Sequence, residues 1–581
     1  MKTSNLNENL ILGGIFIFSV LFFSSGIHQH GLEFRDDEIF YVQGTREMLK
    51  EKNFLSPTFF GEERFQKPIL FYWMILLSYQ VFGPTWVGAR MVSVFLASAT
   101  VCLTWILARE FFSRPIAFLS CTILMTTPMF FRHAKNAVPD IALNFFIVLA
   151  ILAAFRMLHH PHRPRYIYLF FTSCALGFLT KGFAAIFIPF FFLSGYAWML
   201  KKTVFIRSKH FSLGMVTMIL IIVPWFIFMV LDHGWSYWSH LWMEETLKRL
   251  LTPSDGAFPF PLIRTFWTNT LFYAKVLLSY FAPWSLMVLM AIPWAIVYIQ
   301  KRHPLRVSLI AMLLWIIGVY GMFSLVFFKI NHYMLVLTTP LAILLSAFLI
   351  SEMQGSSIVE QSCRIFRNIY LIGILTLSIA GYGIVLCILL EKNPFIWGLL
   401  LIFWSLMVAI ILRYVRGAAP AWSLGLFLIF VFFQSPLLQR GGLTAHAALE
   451  RFAQTIKREN QGPCIIGVGS HDLHEKEFQI YFDQKLEKVA TSSQDETRQQ
   501  LESLFATPER VYCLITYNDY ERFLKDLSLE DLRIIQEDFI FRKRLSIDVG
   551  FFSALIRLDQ KKIHDYFMEK VVMVKKDPQN V

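Results

Sequence analysis

Residues 31–83 read GLEFRDDEIFYVQGTREMLKEKNFLSPTFFGEERFQKPILFYWMILLSYQVFG. The stretch follows one long apolar segment and precedes another. It opens with the acidic cluster Asp36, Asp37 and Glu38. It also carries Lys67, at the junction between a polar run and an aromatic, helix-like run. Charges beside a bilayer are costly to hold. Their concentration in one loop between two spans points to chemistry on a charged group at the membrane surface. The fold class that follows is a polytopic α-helical membrane protein.

Composition agrees with that class. Of 581 residues, 56% are hydrophobic and 16% aromatic, and the mean hydropathy is +0.52. A soluble enzyme with one large core does not have this balance. The net charge of +13 does not indicate nucleic acid, because the basic residues fall in short loops between apolar runs, as membrane orientation requires. Of the seven cysteines, Cys102, Cys121, Cys174, Cys363 and Cys387 fall in or beside apolar segments, and none has metal-ligand spacing. Cys464 and Cys513 lie in strand-like runs and read as buried free thiols rather than a disulfide. The apolar run 10–27 is long for a signal-peptide core and lacks a small-residue cleavage site, so it reads as the first span.

Counting apolar runs of about 17–25 residues gives about thirteen spans. They fall at 10–27, 84–108, 115–131, 139–158, 166–180, 183–200, 211–231, 271–298, 307–328, 332–351, 369–390, 394–412 and 418–437. The run 69–82 is short and aromatic, and fits an interfacial or re-entrant helix better than a span. The loops then sort by charge. One side receives Arg109, Arg114, Arg156, Arg163, Arg165, Lys201, Lys202, Arg207, Lys209, Lys301, Arg302, Arg306, Arg364, Arg367, Arg413 and Arg416, with only Glu110, Glu352 and Glu360 as acids. The positive-inside pattern makes that side cytoplasmic, along with the N-terminus. An odd span count puts the region after Leu437 outside. Asp36, Asp37, Glu38, Lys67, Asp140, Lys181, Arg249 and Lys329 then share the outer face. The outer loops of note are 28–83 and 232–270.

Charges become frequent beyond residue 440. CIIGVGS (464–470), KLEKVAT (485–491), RVYCLITY (510–517) and FFSALIRL (551–558) read as strands. EKEFQIYF, DETRQQLESLF and NDYERFLKDL read as helices between them. The expected organisation is a membrane domain over 1–439 and a soluble α/β domain over 440–581, long enough for its own core.

Each candidate site residue also has a plainer reading. Asp36, Asp37 and Glu38 suit a solvated loop, yet they precede Tyr41 and a helical REMLKE run. A carboxylate there can act as general base or hold an acceptor. Lys67 can snorkel at the bilayer edge, or, fixed before Pro68, serve as a point charge for a phosphate. Lys181 and Lys329 fit helix-end anchors equally well. Asp140, after Pro139, is a favoured first-turn carboxylate. Arg249 lies in WMEETLKRLL, which also fits an amphipathic surface helix. His240 and His332 read as hydrogen-bonded structural residues rather than metal ligands. No HExxH, Walker loop or GxGxxG in a βαβ setting occurs, so neither ATP nor a nucleotide cofactor is indicated. Several bases and carboxylates on one face suit an anionic, lipid-linked substrate whose donor is already activated.

DDEIFYVQGTREML, GEERFQKPILFYW and the following FG resemble the first outer loop of the polyprenyl-phosphate-sugar-dependent GT-C glycosyltransferases, of the lipid A aminoarabinose transferase and protein O-mannosyltransferase-like types. AVPDIALNFF, LGFLTKG, ETLKRLL with FAPWS, and FKINHYMLV ahead of Pro340 continue the resemblance in order over about residues 30–345. It implies inverting transfer from an undecaprenyl-phosphate sugar to lipid A or another envelope acceptor. That reaction needs no cofactor, and a divalent cation is possible but not indicated. The resemblance also implies a multi-pass protein of the bacterial inner membrane with its C-terminal domain periplasmic. By motif, Asp37 is the base or the group that orients the acceptor, with Glu38 its partner and Asp140 a further catalytic position. Lys67 and Arg249 hold the donor phosphate. Lys181, Lys329, Tyr41 and Tyr333 complete the substrate-binding set. Three positions depart from the pattern. Phe40 stands where a basic residue is usual, Gln66 where Glu usually precedes the lysine, and Val336 where Pro is common. The first removes a possible phosphate ligand and the second a possible cation ligand.

The leaving group, a lipid phosphate, gains negative charge as the sugar bond breaks. Fixed cations at that oxygen therefore stabilise the transition state more than the ground state. A transporter or flippase is the alternative class. It is expected to show repeat halves and broken helices, and the sequence shows neither. Transfer to a protein or another glycan is the alternative within the enzyme reading.

Overall fold

A chain entering a bilayer must satisfy its backbone polar groups internally, and a helix does so within a single segment. The apolar runs accordingly become helices in the computed structural model, which describes residues 2–28, 36–64, 66–202, 208–239, 261–326, 328–351, 373, 445–459, 464–469, 487–488, 494–524, 532–541 and 568–576. The chain divides into two compact units. One comprises Met1–Ser25, Gly44–Gly381 and Leu399–Phe433, and the other Gly26–Gln43, Tyr382–Gly398 and Gln434–Val581.

The helices run α1 (Lys2–Ser24), α2 (Asp36–Glu51), α3 (Leu70–Phe82), α4 (Trp86–Phe111), α5 (Arg114–Met125), α6 (Pro128–Lys135), α7 (Asp140–His159), α8 (Arg165–Lys181), α9 (Ala184–Met199) and α10 (Lys209–Ser239). Between α2 and α3 lies a small hairpin, β1 (Thr58–Phe59) with β2 (Glu62–Glu63). Beyond α10 come helices Pro261–Tyr280, Ser285–Gln300 and Arg306–Leu325, a 3-10 turn Asn331–Leu337, and helix Thr338–Ser351. Among the described residues five helices are long and apolar enough to cross a membrane, or seven if each of two bent pairs counts as one span. Apart from residue 373, the expected spans 369–390, 394–412 and 418–437 lie outside the described residues.

The bent pairs correct the expectation of unbroken helices. The expected span 115–131 is broken into α5 and α6, bent by 66°, and 271–298 into Phe266–Tyr280 and Ser285–Gln300, bent by 120°. Proline accounts for both. Pro128 opens α6, and Thr127 before it is extended at φ −77, ψ 119. Pro283 lies in the second break. A proline lacks the N–H a helix needs and pushes its predecessor out of the helical region.

Helix α7 returns as α8 through residues 160–164, so the start of α7 and the end of α8 lie at one end of the bundle. The other end gathers ion pairs. Glu8 meets Arg109 and Arg114 at 3.4 and 3.5 Å, and Arg156 meets Glu110 at 2.8 Å. Small residues set the close approaches. A Cβ on Gly177 of α8 would stand 2.7 Å from the Cβ of Ala185 and 3.1 Å from that of Phe146.

The C-terminal residues form a five-stranded sheet from β3 (Ile465–Val468), β4 (Glu487–Lys488), β5 (Val511–Thr516), β6 (Leu532–Phe541) and β7 (Met568–Lys576), in the order β4-β3-β5-β7-β6. The β3, β4 and β5 neighbours pair in parallel, while β7 is antiparallel to both β5 and β6. Alternation along β5 feeds two cores. Tyr512 and Leu514 pack with Leu449, Phe452 and Ile456 of helix Ala445–Glu459. Val511, Cys513 and Ile515 pack with Leu501, Leu504 and Phe505 of helix Gln494–Ala506. Cys464 and Cys513 are free thiols, and burial pushes Cys513 up to about 12. Strands β6 and β7 were not among the expected ones. The expected strand 551–558 and helix 475–482 lie outside the described residues.

Lys576 is nearly fully buried, and its ammonium donates to the carbonyls of Phe505 (2.6 Å) and Thr507 (2.7 Å). A cation thus closes the C-terminus of helix Gln494–Ala506, where carbonyls lack helical partners. Lys576→Met is expected to destabilise this end by about 1–3 kcal/mol, because it leaves buried acceptors unmet. Hydrogen exchange in the intact chain measures it. Unchanged protection over the last turn of that helix would show that the contact contributes nothing.

Candidate functional site

The first outer loop is held by its own polar groups. Glu47 of α2, nearly buried, accepts from Thr58 Oγ1 (2.7 Å) and from the backbone N–H groups of Phe60 (2.8 Å) and Gly61 (3.4 Å). Phe60 and Gly61 both have positive φ, 52° and 78°. With Phe59 paired to Glu62, they form the two-residue turn whose twist suits a hairpin. A Cβ on Gly44 would lie 2.9 Å from the Thr58 carbonyl, so only glycine lets α2 approach the hairpin this closely. Trp225 of α10 donates to the Leu55 carbonyl at 3.0 Å. His233 lies 2.6 Å from Ser56 Oγ and 2.8 Å from Glu63. The loop is therefore tied to α10.

The acidic cluster expected in a loop instead begins α2. Asp37 is exposed in the first turn, whereas Glu38 is fully buried and Tyr41 nearly so. A carboxylate in a first helical turn is favoured by the unsatisfied N–H groups there. Lys67 is half-buried just ahead of α3, and Lys329 is exposed. Arg249 lies outside the described residues.

Three of the expected residues come together at the bundle end where α7 starts and α8 stops. Asp140 is the first residue of α7 and Lys181 the last of α8. Gly182, at φ 94°, lets the chain turn directly after the lysine. Lys181 Nζ donates to Asp140 Oδ1 at 2.6 Å, with the two side chains only 11% and 6% exposed. The Tyr333 ring lies 5.9 Å from the same ammonium and stacks on Phe323 at 4.5 Å. Two histidines join the group. His332 Nε2 is 3.7 Å from Asp140 Oδ1, and the rings of His133 and His332 are 6.2 Å apart. His133 escaped the sequence reading because its partners lie on other elements. His332 was read there as purely structural. The only local signal was the RHAKNAVPD turn, which sets His133 seven residues before Asp140.

One helical turn before Lys181, Phe178 begins a wholly apolar groove of about 430 Å³. Ile222, Phe226, Val230 and Trp235 of α10 line its other side. The site thus combines a buried ion pair, an aromatic ring and two imidazoles, with an open apolar groove beginning one helical turn from Lys181.

Residues 66–228 match the dolichyl-phosphate-mannose-protein mannosyltransferase family. The undecaprenyl phosphate-alpha-4-amino-4-deoxy-L-arabinose arabinosyl transferase 1 of Pseudomonas fluorescens strain Pf0-1 is 26% identical over 396 residues, covering 67% of this chain and 65% of that protein. The enzyme of that name from Pseudomonas aeruginosa strain LESB58 is 28% identical over 345 residues, covering 58% and 59%. The chain thus spans less than two thirds of the length of these relatives. The crystal structure of ArnT from Cupriavidus metallidurans bound to undecaprenyl phosphate is similar at a TM-score of 0.65 and 17% identity, over 97% of both chains. The chain is a multi-pass membrane protein with the fold of ArnT, and in sequence it resembles the undecaprenyl phosphate-alpha-4-amino-4-deoxy-L-arabinose arabinosyl transferases.

Proposed function

We infer that this protein is an integral membrane glycosyltransferase that moves a sugar from an undecaprenyl-phosphate donor to lipid A at the periplasmic face. The observation that carries the reading is the buried Asp140–Lys181 pair beside Tyr333, one helical turn from a wholly apolar groove. Buried charges are costly to hold in a membrane protein, and a lipid phosphate with an apolar tail needs both surfaces. The names of the aminoarabinose relatives support the donor class. The match of residues 66–228 to the mannosyltransferase family favours a protein acceptor as the second reading. The reading also takes about thirteen spans from the apolar runs, and an N-terminus inside with the C-terminal sheet outside from the Lys/Arg asymmetry and the odd count.

In this reaction an acceptor oxygen forms a bond to the anomeric carbon from the side opposite the lipid phosphate, inverting it. The bond from that carbon to the phosphate oxygen breaks, and undecaprenyl phosphate leaves with the electron pair. A hydroxyl acceptor gives its proton to Asp37, while a phosphate acceptor has none to give and is only oriented. Lys67 and Arg249 hold the departing phosphate, where charge-assisted contacts are worth about 1.5–3 kcal/mol each.

The test is release of undecaprenyl phosphate by the purified chain supplied with the aminoarabinose donor and lipid A. Lys67→Ala and Arg249→Ala are expected to lower kcat/KM by about ten- to a hundredfold. Lys67→Arg should recover part of the loss and Lys67→Gln none. Phe40→Arg should partly rescue Lys67→Ala if both positions serve one phosphate. Wild-type turnover by Lys67→Gln would remove Lys67 from phosphate binding, and no release by wild type with any lipid-phosphate sugar would sink the enzyme reading.

A further inference from the structure

We propose that His133, Asp140 and His332 form a binding site for one divalent transition-metal ion, of the class of Zn²⁺ or Co²⁺, with three protein ligands and an open fourth position. The site does not depend on the transfer reaction and stands on the local geometry. One donor atom from each of the three residues lies within 4.8 Å of the others. The residues come from three elements, α6, the start of α7 and the 3-10 turn Asn331–Leu337. His133 and Asp140 are 2% and 5% exposed, and the His332 side chain is 13% exposed.

The chemistry of the donors is that of a metal site. The Met129 carbonyl lies 2.7 Å from His133 Nδ1. A carbonyl can only accept, so Nδ1 carries the hydrogen, and in the neutral ring the lone pair is on Nε2. Metal-ligating histidines are typically fixed in this way by an outer partner. The 3.7 Å between His332 Nε2 and Asp140 Oδ1 is too long for a hydrogen bond. Two ligands of one tetrahedral zinc lie roughly 3.4 Å apart, so that pair already has nearly the required separation, and modest side-chain rotation brings in the third. Lys181 stays on Asp140 Oδ1 at 2.6 Å as the outer hydrogen-bond partner that a ligating carboxylate normally has. Two imidazole nitrogens and a single carboxylate favour Zn²⁺, Co²⁺ or Fe²⁺ over Mg²⁺ or Ca²⁺, which prefer all-oxygen shells. Three protein ligands leave a fourth position for water or an anionic oxygen.

The experiment uses the full-length protein, purified in detergent, stripped with a chelator and titrated with Co²⁺. Visible d–d absorption of tetrahedral intensity is expected to saturate at one Co²⁺ per chain and to be bleached by Zn²⁺. His133→Ala and His332→Ala should each weaken binding by more than the roughly 10- to 100-fold that loss of an outer-shell partner costs. Each variant is checked for monodisperse elution. His233→Ala, in the separate cluster with Glu63 and Asp232, should leave the band unchanged. Absence of the band in wild type would overturn the proposal, and that outcome needs no variant to fold. A band that follows His233 and ignores His133 and His332 would overturn it equally.

Discussion

Asp37→Asn is expected to lower turnover by about 100-fold or more, with the amount of folded protein unchanged. The side chain keeps its size and loses its charge and its basicity. Asp37 is exposed in the first turn of α2, so the substitution opens no cavity and strands no buried partner. Its structural cost is confined to the lost attraction between a carboxylate and the helix N-terminus, about 0.3–1 kcal/mol. Glu38 provides the contrast. It is fully buried one residue later, so it is fitted to position α2 rather than to meet an acceptor directly. Glu38→Gln should therefore reduce the yield of folded protein along with turnover, whereas Asp37→Asn separates the two. Single-turnover release of undecaprenyl phosphate, measured at equal amounts of monodisperse protein, distinguishes these outcomes. Near-native turnover by Asp37→Asn would remove the residue from the mechanism.

The parts of the fold most legible in the sequence were those set by composition and period. The apolar runs that became α4, α7 and the helix Arg306–Leu325 needed only length and hydropathy to be found. The breaks after Met125 and after Tyr280 were missed because average hydropathy carries straight across Pro128 and Pro283. The backbone cannot. In the C-terminal sheet β5 was readable as a continuous apolar run, and all six of its residues are buried. Strand β7 was not, because the charged residues flanking VVMV in MEKVVMVKK hide a strand whose Lys576 is buried on carbonyls rather than solvated. At the candidate site, Asp140 and Lys181 were readable as single motif residues, while their contact was not. Forty-one positions separate them, and only the hairpin of α7 and α8 brings them together. His133 and His332 belong to the same problem at greater distance, since each looks like an ordinary helix-end histidine until Asp140 lies between them.

That contact carries the largest expected effect on stability. Asp140→Ala is expected to destabilise the bundle by about 3–5 kcal/mol, because it leaves a buried ammonium without its counter-ion. Snorkelling is the competing effect, since a lysine at a helix end can swing its amine to water. The Lys181 side chain is only 11% exposed and has the Tyr333 ring beside it, so little water is within reach and the charge penalty prevails. Lys181→Met should cost less, because the Asp140 carboxylate keeps its place in the first turn of α7, where unsatisfied N–H groups favour a negative charge. The double variant Asp140→Asn with Lys181→Met removes both charges at nearly constant volume. Such replacements of a buried pair are often close to neutral, so the double variant should unfold at a higher temperature than Asp140→Ala. Activity then separates structure from chemistry. A stable but inactive double variant places the pair in the reaction, whereas a stable and active one makes it a structural clasp. If the double variant is no more stable than the worse single one, the two side chains are not coupled, and the Asp140–Lys181 contact does not hold the two helix ends together.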